Sequence, residues 1–314
     1  MVAWLRYDTF DQRRAHFMLR GFLIALLGRA SLHYPRLVNL TLGLAYPFHP
    51  RRIRDLPGLW YMVLRYSLVP NSRNHELAPV ESALKRPDGL LAVGGPLSTG
   101  RLLAAYRNGI YPWCHVGPIK WWARSERMVL FLNEAHLSRT LRRTIRVGTY
   151  RITFDCAFPQ VIRACAEPRP GKLPLTWISP KIMDAYTQLQ AAGHAHSAEA
   201  WDSEGQLVGG LYGVAIGGIF FTESLFARKA DASKVAFATL NRHLQAWGFR
   251  LNDCKAYTEH HASQGARLIK RSDFMRHLAE LRDLPGPSSP WCVDDTLDVA
   301  SWTPGDHNLS PLVK

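Results

Sequence analysis

Between residues 196 and 257 the hydrophobic pattern changes from a strand period to a helix period and back. Short apolar runs bounded by turn residues predict strands over 196–201, 207–216 and 219–222, with Gly217-Gly218 as a hairpin turn. Ala236, Leu240 and Leu244 then recur four residues apart, predicting a helix over 232–247 that stops at Gly248. The next strand runs over 249–257, a short helix ends near Gly265, and Ser272 is placed to cap a last helix. Upstream, Ser98 caps a helix that reaches Asn108 and stops at Gly109. Ser179-Pro180 opens another, with Ile182, Met183, Tyr186 and Leu189 on one face and Gly193 after its end. Between them lies a tryptophan-rich loop, Tyr111-Pro112-Trp113 and Trp121-Trp122. Strands flanking a crossover helix imply an α/β (α+β) sandwich rather than a helical bundle. The tail from Pro285 is rich in Pro, Ser and Asp and reads as a loose extension.

Charge changes the picture for the first quarter of the chain. The 314 residues carry 39 Lys plus Arg against 25 Asp plus Glu, a net charge of +14. Residues 1–75 hold eleven arginines and three aspartates, so this segment supplies a surplus of eight charges. It also carries the apolar patches 22–27 and 59–64, with Trp4, Trp60 and Tyr61. Basic residues beside apolar faces suit an RNA or an anionic membrane surface, and equally a helical appendage packed on the main domain. The run 22–27 is far short of the roughly 20 apolar residues that span a bilayer, and no small-residue cleavage site follows it.

The five cysteines are far apart and form no CxxC pair, so neither a disulfide framework nor a zinc site is supported and a reducing cytoplasm fits best. His194, His196 and the pair His260-His261 lack a third ligand at metal spacing, so no metal is expected. The candidate chemistry lies elsewhere: Glu223 on a glycine-rich hairpin and Asp253 on the strand after the crossover helix. Two carboxylates at the ends of neighbouring strands can form an acid/base site in an apolar pocket.

Several separate segments resemble the leucyl/phenylalanyl-tRNA–protein transferase family, in the same order, over about residues 76–280. They are Asp88-Gly89-Leu90-Leu91-Ala92-Val93-Gly94-Gly95, the run from Arg101 to Trp113, Thr176-Trp177-Ile178 and Gly193-His194-Ala195-His196-Ser197. Then come the stretch from Gly209 to Phe226, Ala232-Ser233-Lys234 and Gly265-Ala266. Residues 1–75 read, from their charge and apolar patches, as a basic, mostly helical N-terminal extension, and the resemblance implies a small N-terminal α+β domain over 76–150. A GNAT-like acyltransferase domain follows over 151–283, with the tail over 284–314. It implies transfer of leucine or phenylalanine from an aminoacyl-tRNA to a protein N-terminus beginning with Arg or Lys, which marks that protein for degradation. No cofactor is implied, and no glycine-rich pyrophosphate loop follows the central strand, which argues against a CoA-dependent acetyltransferase. The partners implied are the aminoacyl-tRNA and the acceptor protein, with a cytoplasmic location; residues 1–75 add a contact at the inner membrane face as an alternative.

The resemblance also assigns residues. Asp253 and position 255 assist attack by the amine, and Glu223 helps hold the reacting groups. Trp113 and Trp177 stack on the terminal adenosine. Leu211, Phe220, Leu225, Leu240 and Leu244 form the amino-acid pocket, with Thr222 and Asn252 beside them. Residues i and i+2 of a strand share a face, so Asp253 and Lys255 should both point into the site. The chain departs from the family where Lys255 stands for a glutamine, Asn252 for an apolar residue and Thr222 for a glycine. Lys255 is expected to pair with Asp253 and lower its basicity, to repel a basic acceptor and to attract an acidic or phosphate-bearing one. Asn252 is expected to make the pocket partly polar. A diverged transferase acting on a small molecule or lipid headgroup, and an inactive tRNA-binding homologue, are the alternatives.

Overall fold

The computed structural model describes residues 53–68, 77–115, 117–168 and 176–305. The expectations for 1–52, including the apolar run 22–27, lie outside the described residues. Helix α1 (Leu56–Leu68) precedes β1 (Leu90–Val93), α2 (Thr99–Arg107), β2 (Tyr111–Pro112) and β3 (Lys120–Trp122). The chain continues through β4 (Glu126–Phe131), α3 (Arg139–Arg146), β5 (Arg151–Phe154), α4 (Phe158–Ala166) and α5 (Pro180–Ala191). Strands β6 (Ala195–Trp201), β7 (Leu207–Ile216) and β8 (Ile219–Ala227) lead to α6 (Ala232–Ala246) and β9 (Leu251–Lys255). Helix α7 (Glu259–Ala262), β10 (Arg267–Lys270) and α8 (Arg271–Leu281) complete the elements.

These strands make a mixed α/β architecture with two sheets. The small one has the order β1-β3-β2, and the large one the order β10-β4-β9-β8-β7-β6-β5. All neighbours in the large sheet are antiparallel except β8 and β9, which are parallel and joined through α6. The tryptophan-rich segment read as a loop is in fact β2 and β3, paired Tyr111 to Trp122 and Pro112 to Trp121. Strand β4 falls in the stretch expected to belong to the small domain, yet it lies between β10 and β9 in the large sheet. Its burial explains this: Arg127, Met128, Val129 and Leu130 are all buried, which a two-sided central strand requires.

The large sheet is covered on both faces. Tyr106 and Leu102 of α2, Phe158 and Ile162 of α4, Tyr186 and Leu189 of α5, and Phe274 and Leu278 of α8 share one core with Tyr212 and Phe221. On the opposite face Ala236, Leu240 and Leu244 of α6 pack with Leu211 and Phe220. Helix α6 approaches so closely that a Cβ on Gly209 would lie 2.6 Å from the Cβ of Ala232. Any larger residue at that position forces the helix off the strand. Helix α1 closes the small sheet, with Met62 packed beside Leu90 and Val93.

The capping expectations hold at two of three places. Ser98 accepts the Arg101 amide at 3.3 Å, and Ser179 accepts the Ile182 amide at 3.4 Å. Ser272, by contrast, lies inside α8, which follows Lys270 without a side-chain cap.

The segment beyond Pro285, expected to be loose, is anchored. Trp291 is only 2% exposed, and its ring stacks on His196 with centroids 3.6 Å apart. The Trp291 amide and His196 Nδ1 meet the same Asp155 oxygen at 2.9 and 2.8 Å. Trp302 donates to Gln245 Oε1 at 2.7 Å, and Arg142 donates to the carbonyls of Ala300 and Trp302. A segment without regular structure is thus held by buried aromatic area. Trp291→Ala is expected to cost about 3–5 kcal/mol. Urea unfolding would read that loss, and limited proteolysis would show cleavage within 285–305 that the parent protein resists.

Candidate active site

Strand period decides what β8 and β9 present. Phe221 pairs with Asp253 across the parallel ladder, and Glu223 and Lys255 follow two residues further along each strand. Phe221, Glu223 and Asp253 therefore face α2, α5 and α8, whereas Phe220, Thr222 and Asn252 face α6.

On the first face, Arg127 and Asp253 form a buried ion pair. Arg127 donates from Nε to both carboxylate oxygens at 3.0 and 3.1 Å and from Nη2 to Oδ2 at 2.8 Å. Its Nη1 reaches the Gly109 carbonyl at 2.9 Å, and the guanidinium lies 4.6 Å from the ring centres of both Tyr111 and Phe274. Burial works against the Arg127 charge, but the Asp253 carboxylate outweighs it and raises the pKa overall. Arg127 was not foreseen from the sequence. The signal was present as an arginine in step with Val129 and Phe131 at the start of an otherwise apolar run.

Asp253 itself is fully buried and does not line the cleft described below. Its Oδ1 also accepts the Lys255 backbone amide at 2.8 Å. The expected pairing of the Lys255 side chain with Asp253 does not occur. Opposite Met128 and Val129 of β4, strand β9 carries an extra residue at Cys254, and Lys255 has a φ of +61°. This bulge breaks the alternation and swings the lysine toward β8. Its Nζ donates to Glu223 Oε1 at 2.6 Å and to the Thr222 carbonyl at 2.7 Å.

Glu223 is enclosed from the helix side as well. The Tyr106 hydroxyl donates to Oε1 at 2.6 Å. The Tyr186 hydroxyl, in contact with that of Tyr106, donates to Oε2 at 3.2 Å. Burial and the nearby Glu223 charge push the Tyr106 and Tyr186 phenols well above their ordinary range, and Tyr212 rises with them through burial, Tyr186 and Glu223. Burial also pushes Tyr111 up to about 12, against the pull of Arg127.

Glu223 and Lys255 lie at the wall of a cleft of about 1550 Å³ between the two sheets. Trp113, Trp122 and Tyr111 border it from the small sheet, and Leu225 and Thr222 from β8. Trp177, from the segment before α5, completes the aromatic lining, so the cleft brings both expected stacking residues together. Trp113 and Trp177 are only half-buried. The rim also carries Lys85, Arg124 and Arg228. Arg124 pairs with Asp88 at 3.5 Å and Arg228 with Glu167 at 2.7 Å. His261 lines the cleft too, with its pKa pushed down to about 4 by burial, His260 and Lys255.

The expected amino-acid pocket is only partly formed on this cleft. Leu211, Phe220, Leu240 and Leu244 lie in the core against α6 and do not line it. Asn252, expected to add polarity there, is buried too. Its Oδ1 accepts the Thr222 hydroxyl at 2.8 Å, and its Nδ2 donates to Asn241 Oδ1 at 2.8 Å. Leu211, Phe220, Leu240, Leu244 and Asn252 are fully enclosed between the sheet and α6 and so miss the cleft, whereas Thr222 on the same face reaches its edge.

Two family models match the chain. One described as the leucyl/phenylalanyl-tRNA protein transferase N-terminal domain covers residues 95–125, and one described as leucyl/phenylalanyl-tRNA protein transferase covers 129–279. A leucyl/phenylalanyl-tRNA–protein transferase from Chromobacterium violaceum is 51% identical over 214 residues, which is 68% of this chain and 91% of that protein. The chain belongs to this transferase family. Another protein of the same name, from Thiobacillus denitrificans, is 52% identical over 69% of this chain and 94% of its own length. That from Nitrosomonas europaea is 50% identical over 69% and 92%. A solved structure of L-PGS from Bacillus licheniformis matches 49% of this chain and 51% of that one, at 12% identity and a TM-score of 0.31. That likeness is too slight to argue from. Of the positions expected from the resemblance, Trp113, Trp177 and Glu223 thus border one cleft, while Asp253, Leu211, Phe220, Leu240 and Leu244 are buried away from it.

Two outcomes follow from this geometry. Arg127→Met removes the ion-pair partner of the buried Asp253 carboxyl, at an expected cost of about 3–5 kcal/mol in urea unfolding. Adding Asp253→Asn should recover much of that loss, which a loss through packing alone would not allow. The tyrosines give a pH dependence. Unfolded phenols lose their protons near pH 10, whereas Tyr106, Tyr186 and Tyr212 keep theirs in the folded state. Their contribution to stability is complete below pH 10 and falls as pH rises beyond it. Absorbance at 295 nm should show these phenols ionising together with alkaline unfolding, not before it.

Proposed function

We propose that this chain transfers leucine or phenylalanine from an aminoacyl-tRNA to the N-terminal α-amine of a protein. The observation that carries this reading is the single cleft shared by Trp113, Trp177 and the Glu223–Lys255 pair, in a chain of this transferase family. The donor is an ester already activated for acyl transfer. The acceptor nitrogen attacks the ester carbonyl, a C–N bond forms and the C–O bond to the terminal ribose breaks. In net, the proton lost by the amine ends on the ribose oxygen of the leaving tRNA. Such a reaction needs no covalent enzyme intermediate, only positioning, proton removal and support of a tetrahedral oxyanion.

Trp113 and Trp177 hold the terminal adenosine by stacking, and Lys85, Arg124 and Arg228 on the rim suit the phosphates behind it. Leu225 and Thr222 meet the donor side chain, being the expected pocket residues that face the cleft. Glu223 and Lys255 meet the acceptor end. Asp253 is a positioning residue: it fixes the Lys255 backbone and reaches the chemistry only through it. The large sheet is read as a GNAT-like acyltransferase domain, supported by one parallel pair and its crossover helix among antiparallel strands. A membrane-surface contact through residues 1–75 has one support among the described residues. Trp60, Tyr61 and Leu64 of α1 are more than half exposed beside Arg54 and Arg65.

The test is a transfer assay with radiolabelled Leu-tRNA and Phe-tRNA and a panel of peptides with free N-termini. Label should pass to at least one peptide. A base stack is worth about 1–3 kcal/mol, so Trp113→Ala and Trp177→Ala should each raise KM for the aminoacyl-tRNA about tenfold. Tight tRNA binding with no label on any peptide would overturn the reading.

A further inference from the structure

We infer that Lys255 sets the acceptor class: the site takes protein N-termini whose first side chain bears no positive charge, and favours a carboxylate there. This rests on the transfer reaction proposed above and names the acceptor for that same site.

Glu223 is the carboxylate on β8 that borders the cleft, and three of its roughly four acceptor positions are already taken from within the chain. Its Oε1 already accepts from Tyr106 and from Lys255, and its Oε2 from Tyr186. Its side chain is 1% exposed. The charge that a buried carboxylate requires is therefore supplied from within the chain, by an ammonium at 2.6 Å. That ammonium is held further by the Thr222 carbonyl and by the rings of Tyr111 and Tyr106, at 5.7 and 6.0 Å.

A guanidinium or ammonium on the acceptor would have to displace Lys255 from this cage or sit beside it as an unpaired like charge. Asp88 and Glu167 are paired with Arg124 and Arg228, and Asp55 borders the cleft from the small-sheet side. An acceptor carboxylate meets the opposite situation. Lys255 has three protons and gives two of them to Glu223 and Thr222, and it borders the cleft, so the third is the donor a carboxylate can take.

The test uses the full chain, saturating Leu-tRNA and three peptides identical except for an N-terminal Glu, Ala or Arg. The reading is the ratio of kcat/KM between peptides, which cancels any loss common to all three. The parent protein should favour the Glu peptide over the Arg peptide at least tenfold, with the Ala peptide between them. Lys255→Gln removes the internal cation and exposes the Glu223 charge, so the ratio should shift at least tenfold toward the Arg peptide. Lys255→Arg keeps the cation and should keep the original order. Equal or better use of the Arg peptide by the parent protein overturns this inference and leaves the transferase reading standing. So does a Lys255→Gln variant whose three peptides all change by one factor. Label on no peptide removes the transferase reading, and this inference with it. If Lys255→Gln does not fold, the parent order of the three peptides decides.

Discussion

The buried pair of Arg127 and Asp253 is the constraint around which the rest is arranged. Two charges out of water are costly unless geometry and further hydrogen bonds offset the lost hydration. Here the guanidinium uses three nitrogens, lies between Tyr111 and Phe274, and reaches back to the Gly109 carbonyl. One residue thus ties β4 and β9 of the large sheet to the end of α2 and to the small sheet. The two sheets meet at this point, and the cleft opens beside it. Asp253 can fix the Lys255 amide because Arg127 has already fixed Asp253.

A division of labour follows from strand geometry. Alternate residues of β8 and β9 serve two different layers. The Thr222, Asn252 and Asn241 chain secures α6 against the sheet, while Glu223 and Asp253 gather the tyrosines of α2 and α5, Arg127 and the bulged lysine. The polar groups of Thr222, Asn252, Glu223 and Asp253 all find partners within the protein, whereas the buried Tyr212 hydroxyl beside them has none.

Much of the fold could be read from the sequence where a local signal was strong. The glycine turn at 217–218, the caps at Ser98 and Ser179 and the four-residue spacing in α6 each act within a few residues, so no tertiary knowledge was needed. What escaped depends on contacts distant in sequence. Strand β4 begins with a charged residue that is tolerable inside only because Asp253 waits 126 positions later. Lys255 was expected to share a face with Asp253, and a single bulged residue, invisible to periodicity, turned it to Glu223. For Asn252 the polar side chain was legible, but not the Thr222 and Asn241 partners that direct it into the core. The tail after Pro285 has the composition of a loose end, yet its tryptophans find a hydrophobic seat.

That seat has a consequence for how the protein is made. Trp291 fills a position among Phe220, His196, Trp247 and Phe249, in contact with β6, β8 and the end of α6. It is synthesised after every strand and helix named above. While a nascent chain is still emerging, the α6 side of the sheet has all its secondary structure and still lacks its closing wedge. Since domains begin to fold during synthesis, the final locking of this domain is deferred until that irregular segment arrives. A ribosome that stalls late would therefore present a sheet that is paired but not sealed.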